Sequence, residues 1–111
     1  MEIVERINIS KDFTDTPGAR ERKDGPFSGE EFYETILLPK FEAAISKKGI
    51  LEIDLQDMWG FPSSFVSGSF GVLSQKFSAE VVLKHLQFLA EDNPLNKEKV
   101  VSEIKSPTAR P

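Results

Sequence analysis

The chain lacks cysteine altogether, has a single histidine, His85, and contains no apolar run of the length that a membrane span requires. The absence of cysteine excludes disulfides, thiolate catalysis and cysteine-bound metals. One histidine leaves neither a histidine-rich metal cluster nor a conventional serine and histidine dyad. No charged segment followed by an apolar stretch marks a signal peptide, so we expect a cytoplasmic protein. We predict a protein that is not an enzyme and that uses no metal and no cofactor.

Positive charge is also in short supply, because 14 lysine and arginine residues face 18 aspartate and glutamate residues and the net charge is −4. Nucleic acids and anionic membranes require a positive field, so a protein or a small molecule is the favoured partner. The 111 residues suffice for one domain with a modest core and are too few for two. We predict a domain at residues 1–105 and a disordered polar tail at residues 106–111.

Hydrophobic periodicity predicts strands that alternate with helices. Strands are predicted at residues 2–9, 50–55 and 85–90. Helices are predicted to begin at Ser28, at the pair Ser63 and Ser64, and at Asn93, with a shorter turn after Ser78. The apolar face of the last helix is predicted at Leu95, Val100, Val101 and Ile104. A short apolar strand that follows a helix fits a parallel βαβ unit, so the sequence predicts an α/β fold.

The clearest helix start lies at Ser28. Ser28 and Glu31 have the spacing of a capping box, and Phe27 and Phe32 have the spacing of the hydrophobic staple that flanks it. Pro39 lies inside the same helix. Because proline has no N–H and its ring clashes with a preceding carbonyl, we expect a kink or a break just before it.

The most informative segment is the strand at residues 50–55 and the loop and serine pair that follow it, which we call the serine loop (residues 56–64). Ser63 and Ser64 place two hydroxyls among the unpaired N–H groups of a helix N-terminus, where a phosphate can sit. Two roles stay open for them: a structural cap, or a phosphoacceptor or ligand contact. Gly68 and Gly71 in the following helix are predicted to allow close packing on the sheet.

The order of strand, Asp54, loop, serine pair and helix resembles the STAS domain of sulphate-transporter tails and anti-sigma-factor antagonists. The segment from Arg20 to Phe32 looks like the pre-helix segment of a bacterial family of STAS-like domains of unknown function, whose members stand alone or are appended to signalling modules. The resemblance implies a small, mostly parallel sheet with helices packed chiefly on one face. It also implies a phosphorylation switch at Ser64, although Pro62 and Phe65 stand where the antagonists have an acidic residue and a glycine.

Aromatic side chains cluster around the serine pair. Aromatic residues in exposed loops often anchor contacts with partners. The residues that we predict to form the partner or switch surface are Ser63, Ser64, Phe65, Trp59 and Phe61. For Phe65, packing in the core is the alternative.

Two carboxylates border the same loop. Asp54 ends the strand and Asp57 follows it, but no base, nucleophile and orienting group can be assembled around them from this sequence. We therefore predict that Asp54 and Asp57 brace the loop. His85 is expected to be a solvated side chain rather than a catalytic base.

A basic cluster precedes the first long helix, and we call Arg20, Arg22 and Lys23 the basic loop. If the first two strands are parallel, the loops after them leave by the same edge of the sheet. The basic loop, the helix start at Ser28 and Gly29, and the serine pair would then converge and could hold an anionic group such as a nucleotide or phosphate. The alternative is a solvated surface patch.

Together these observations predict a non-catalytic signalling or regulatory module that binds a protein partner through the serine loop and the helix that follows. The resemblance implies a partner such as a histidine-kinase-type ATPase or a sensor protein. The alternative function is a small-molecule or nucleotide-binding module that uses the basic loop and the helix N-termini.

Overall fold

The computed structural model of the chain describes residues 1–108, so the last three residues of the predicted tail lie outside the described part. Its strands are β1 (Ile3–Asn8), β2 (Ile50–Asp54) and β3 (Leu86–Leu89). They form a sheet in the order β1-β2-β3, and both neighbouring pairs are parallel. The predicted α/β fold is confirmed.

The helices alternate with these strands along the chain. They are α1 (Ile9–Asp12), α2 (residues 29–46), α3 (residues 63–77), α4 (Ala79–His85) and α5 (Pro94–Lys105). A 3-10 turn at Arg22–Asp24 lies in the basic loop. Both long central helices contain a π-helical turn, at Tyr33–Leu37 in α2 and at Ser67–Gly71 in α3.

The two faces of the sheet differ in burial. Along β2, Leu51 and Ile53 are fully buried and join the core beneath the helices. Glu52, which points the other way, keeps 17% of its side chain exposed and pairs with Arg6 at 3.4 Å. This alternation is that of a sheet covered on one side, so the helices pack chiefly on one face.

Helix α2 begins where the capping box predicted. The Glu31 N–H donates to Ser28 Oγ at 3.0 Å, which confirms the cap. The helix does not break before Pro39, because a π-helical turn precedes the proline and the helix then continues to Ser46. The wider turn changes where the preceding carbonyls lie, which accommodates a ring that would clash in a regular α-helix.

The predicted staple between Phe27 and Phe32 is wrong. The two rings are separated by Phe13, whose centroid lies 5.5 Å from that of Phe27 and 5.3 Å from that of Phe32. Phe32 is fully buried, whereas Phe27 stays 42% exposed. A residue from the loop after β1 thus fills the place that local sequence spacing had assigned to Phe27.

The predicted packing of Gly68 on the sheet is also wrong, because Gly68 faces the basic loop. A Cβ at Gly68 would lie 2.5 Å from the Arg20 carbonyl oxygen. A Cβ at Gly29 would lie 2.5 Å from the Phe65 carbonyl oxygen and 3.0 Å from Gly68. Glycines at these positions let the start of α2, the first half of α3 and the basic loop approach closely.

An acidic side chain ties α2 to the sheet. Glu5 of β1 accepts hydrogen bonds from Lys47 and from Lys40, the latter at 3.1 Å. These bonds hold the pKa of the Glu5 carboxyl below its usual value of 4.5. The two lysines therefore anchor the helix to the edge strand through one carboxylate.

Two expectations about the third strand and the last helix are corrected. The His85 Nδ1 lies 2.8 Å from the Gly49 carbonyl oxygen and the ring meets Phe41 edge-on, so His85 is a packed side chain rather than a solvated one. Leu95, predicted on the apolar face of α5, is 67% exposed, and its neighbour Asn96 is buried instead. Val100 and Ile104 are buried as predicted.

The described part of the predicted tail, residues 106–108, makes specific contacts at Thr108. Its Oγ1 lies 3.1 Å from Ser67 Oγ and 2.9 Å from Glu103 Oε1, and its N–H donates to Glu103 at 2.7 Å. Hydrogen bonds therefore hold the chain at Thr108. The prediction of disorder for residues 109–111 lies outside the described residues.

Candidate functional site

The loops that follow the strands meet at one edge of the sheet. Parallel strands direct their carboxyl ends to the same edge, and a helix that returns the chain to the next parallel strand must begin there. The starts of α2, α3 and α5 and the loops that precede them therefore lie along this carboxyl edge. The serine loop forms its middle.

The start of α3 has free hydrogen-bonding groups. Pro62 occupies the N-cap position and supplies no side-chain cap. The Val66 N–H donates to the Pro62 carbonyl at 3.2 Å, but within residues 1–108 the N–H groups of Ser63 and Ser64 have no acceptor. The two hydroxyls also lack a partner in this part of the chain, and Ser63 is exposed while Ser64 is half-buried. Neither serine acts as the cap that was one of its predicted roles.

The aromatic residues of the serine loop and of the first turn of α3 comprise one exposed and two buried side chains. Trp59 is 83% exposed, and its N–H donates to the Asp15 carbonyl at 2.8 Å, which fixes the loop backbone beneath it. Phe65 is fully buried and Phe61 is only 6% exposed. Assigning Phe61 and Phe65 to a partner-contacting surface is therefore wrong, and the core alternative holds for Phe65.

The reason for this burial is an aromatic cluster that the sequence did not reveal. The ring of Phe65 lies 5.9 Å from that of Phe61, 5.5 Å from that of Phe32 and 6.2 Å from that of Phe13. Phe13 comes from an irregular loop where no periodicity marks an inward-facing side chain. Lys99 of α5 completes the cluster by donating to the Phe61 carbonyl and lying over its ring.

The basic loop lies beside the serine pair. A cleft of about 420 Å³ is lined by Ala19, Arg20, Glu21, Lys23, Asp24 and Ser64. The charges of the basic loop are mostly engaged, since Arg22 pairs with Glu34 at 3.0 Å and Lys23 pairs with Glu21 at 3.3 Å. Arg20 donates to the Thr108 carbonyl at 3.5 Å.

The start of α2, in contrast, has no free donors for an anion. The Gly29 N–H donates to the Ala19 carbonyl at 2.8 Å and the Glu30 N–H to the Arg20 carbonyl at 2.9 Å. The next N–H is taken by the Ser28 hydroxyl. Ser28 is fully buried as well. The predicted anion site at Ser28 and Gly29 is wrong, because the basic loop supplies its backbone carbonyls rather than its charges to this helix start.

The two loop carboxylates differ in what they bind. Asp54 accepts from the Gln56 N–H at 2.9 Å and from Asn8 Nδ2 at 3.2 Å, which joins the ends of β1 and β2. Asp57 has a positive φ of 63°, and its N–H donates to Asp92 Oδ2 at 2.9 Å. Asp54 thus braces through its side chain and Asp57 through its backbone. Asn8 and Asp92 carried no sequence signal for these contacts.

A second cleft lies on the other side of Arg20, between α2 and α3. Its volume is about 290 Å³, and its lining includes Glu30, Glu34 and Tyr33. Burial, followed by the charges of Glu42 and Glu34, raises the pKa of the Tyr33 phenol. The phenol therefore stays protonated at neutral pH.

Residues 1–108 contain no group of three or more histidine, cysteine, aspartate or glutamate side chains placed to hold a metal ion. None of the helices in that range is both long enough and apolar enough to cross a membrane.

Comparison with known proteins gives one match, to a protein family. A family model described as a STAS-like domain of unknown function (DUF4325) matches residues 28–96, which run from the cap of α2 through the serine loop to the start of α5. A search of curated proteins and a search of solved structures each found no significant match. The match covers more than half of the chain and includes β2, α3 and β3 of the parallel sheet. The chain therefore belongs to the family of STAS-like domains of unknown function.

Proposed function

We propose that this chain is a non-catalytic, cytoplasmic regulatory module that binds a protein partner through the serine loop and the start of α3. The observation that carries the proposal is Trp59, which is 83% exposed on a loop whose other aromatic side chains are buried. Tryptophan is the side chain that gains most from burial at an interface, and it is a frequent anchor of binding energy.

The backbone beneath Trp59 supports a contact role. Its N–H is bound to Asp15, and the loop is held on one side by Asp54 and on the other by Asp92. A loop that is fixed before binding loses little conformational entropy when the partner arrives. The loop therefore holds the backbone of Trp59 in place before a partner binds.

Ser63 and Ser64 supply a polar part to the same surface. Their N–H groups and hydroxyls lack partners within the described chain, so they are available to acceptors and donors of another protein. Negative charge at Ser64, introduced by phosphorylation or by substitution, would be tolerated by the helix dipole. It would also change the charge of the surface that a partner meets, which makes Ser64 the proposed switch point.

The resemblance to STAS domains favours a histidine-kinase-type ATPase or a sensor protein as the partner. Photo-crosslinking in the native host tests this, with a benzophenone amino acid placed at Trp59. The matched control is Lys84, an exposed residue at the end of α4, next to the amino edge of the sheet. We expect a protein crosslinked from position 59 and absent from position 84.

The switch is tested with the same crosslinker on a Ser64→Asp background. Circular dichroism should show an unchanged fold, and the crosslinked yield should change by more than about tenfold because the surface charge has changed. Ser63→Asp should have the smaller effect. Identical products from positions 59 and 84, or no product from position 59, would contradict the proposed function.

A second candidate is an anion-binding module, now limited to the cleft between Ser64 and the basic loop. The free N–H groups at Ser63 and Ser64 favour it, since a helix N-terminus attracts negative charge. Titration with inorganic phosphate and with ATP, followed by the amide resonances of these two serines, tests this candidate. Unchanged resonances at millimolar ligand would remove it.

A further inference from the structure

The carboxyl edge of the sheet exposes more apolar surface than the serine loop alone. Within residues 1–108 the exposed large hydrophobic side chains are Met1, Phe27, Trp59 and Leu95. Three of these four follow three different strands: Phe27 lies just before α2, Trp59 lies between β2 and α3, and Leu95 lies in the first turn of α5. All three therefore lie along the carboxyl edge, at which these helices begin.

These apolar side chains are held by the structure rather than left loose. The ring of Phe27 lies edge-on to Phe13, and its backbone has a positive φ of 55°, a conformation that costs energy in a non-glycine residue. The loops that carry Trp59 and Leu95 are joined by the hydrogen bond from the Asp57 N–H to Asp92. One rigid rim thus displays three apolar groups from separate segments.

Within residues 1–108 the loops around Trp59 carry unpaired negative charge. Asp15, Asp57 and Asp92 belong to the loops that hold Trp59, and none of their carboxylates forms an ion pair with a cation in the described chain. Lys99 of α5 lies over the Phe61 ring and donates to the Phe61 carbonyl. In the basic loop, Arg22 is paired with Glu34 and Lys23 with Glu21.

We propose that the rim formed by Phe27, Trp59 and Leu95 docks a basic, amphipathic segment of a protein partner. Apolar side chains of that segment cover the three exposed groups, and its lysine or arginine side chains meet Asp15, Asp57 and Asp92. This inference rests on the proposed function and adds the chemistry of the partner to it. Charge complementarity is the argument for this occupant.

The same charges argue against two other occupants. A second copy bound through the same rim would bring the aspartates of both copies together, because a two-fold interface uses the same patch on each subunit. An anionic membrane would be repelled by the unpaired carboxylates. Both remain outcomes of the test.

Selection from a phage-displayed library of random peptides of about 16 residues tests the inference without knowledge of the natural partner. The selection uses the whole chain, and a Trp59→Ser, Leu95→Ser variant removes peptides that bind elsewhere. Both side chains are largely exposed, so the variant should fold. We expect enriched peptides that combine net positive charge with apolar residues spaced along one helix face.

The chain contains one tryptophan, so the fluorescence of Trp59 reports binding at the rim directly. A selected peptide should shift the emission of Trp59 to shorter wavelength. Affinity should fall by about tenfold when Asp15, Asp57 and Asp92 are all replaced by asparagine, since each exposed charge pair contributes modestly. It should also weaken as the salt concentration rises from about 50 to about 300 mM. Glu42→Gln, on the exposed side of α2, is the matched control and should leave the affinity unchanged.

Several results would overturn the inference. They are the enrichment of neutral or acidic peptides, no enrichment over the double variant, and an affinity that is insensitive to the three aspartates. Self-association in ultracentrifugation that Trp59→Ser abolishes, or binding to vesicles of phosphatidylserine, would assign the rim to the other occupants. A partner crosslinked from position 59 whose contacted segment is acidic would contradict the inference and leave the proposed function standing.

Discussion

The starts of α2 and α3 lie at the same edge of the sheet and both carry serine, yet they are opposites. At α2 the Ser28 hydroxyl and the carbonyls of Ala19 and Arg20 accept the first N–H groups, and Ser28 is fully buried. At α3 a proline takes the cap position, and Ser63 and Ser64 have free N–H and hydroxyl groups within the described chain. One helix start is closed by its own chain, whereas the other is open within residues 1–108.

The two helix starts differ in whether water can reach their N–H groups. An unpaired N–H costs little while water can reach it, but a buried one costs about 1–3 kcal/mol. The start of α2 is covered by the basic loop and so must be satisfied internally. Pro62 and Ser63 are exposed, so water can reach the N–H groups at the start of α3.

The largest expected effect concerns the close approach of the two helices. Gly29→Ala places a methyl group 2.5 Å from the Phe65 carbonyl oxygen, so we expect a loss of about 3 kcal/mol in the free energy of unfolding. Urea denaturation measures it. Gly60→Ala is the matched control, because a Cβ there meets nothing within 4 Å. Equal midpoints for the two variants would show that α2 and α3 are not in tight contact.

The second effect compares the two serine caps. Ser28→Ala should cost about 1 kcal/mol of unfolding free energy, because the Glu31 N–H loses its acceptor. Ser63→Ala should change stability by no more than a few tenths of a kcal/mol, since its hydroxyl accepts no bond from the helix. If Ser63→Ala proved as costly as Ser28→Ala, Ser63 would be a structural cap.

The smallest effect depends on the sign of charge at the open helix start. Ser64→Asp should leave the unfolding free energy unchanged or raise it by about 0.5 kcal/mol, and Ser64→Lys should lower it by a similar amount, because the helix dipole favours negative charge. Thermal denaturation at low salt shows which of the two variants is the more stable. The reverse order would mean that the charges of Glu21 and Asp24 in the adjoining cleft outweigh the dipole.

Local sequence signals predicted the framework of the molecule well. The cap at Ser28 and the strand predicted at residues 50–55 both depend on residues close in sequence, and both are confirmed. The α/β fold and the parallel pairing followed from the order of such elements. The family resemblance was confirmed by the match to residues 28–96.

The details of the site depend on contacts between distant segments, which local patterns do not encode. The sequence does not distinguish the exposed Trp59 from the buried Phe61 and Phe65, because all three are aromatic residues in one short segment. Phe65 is buried because its ring packs against those of Phe13 and Phe32. The loss of the anion site at Gly29 likewise depends on a backbone carbonyl from Ala19. Every residue has a backbone carbonyl, so the sequence cannot show which carbonyl accepts the N–H groups of a helix start.

Amide hydrogen exchange, resolved by residue with NMR on the free chain, tests the contrast between the two helix starts most directly. The account predicts strong protection at Gly29, Glu30 and Glu31, whose N–H groups are bound, and exchange close to the rate of an unstructured peptide at Ser63 and Ser64. Protection at the two serines equal to that at Gly29 would contradict it, because the start of α3 would then be closed and unavailable to a partner.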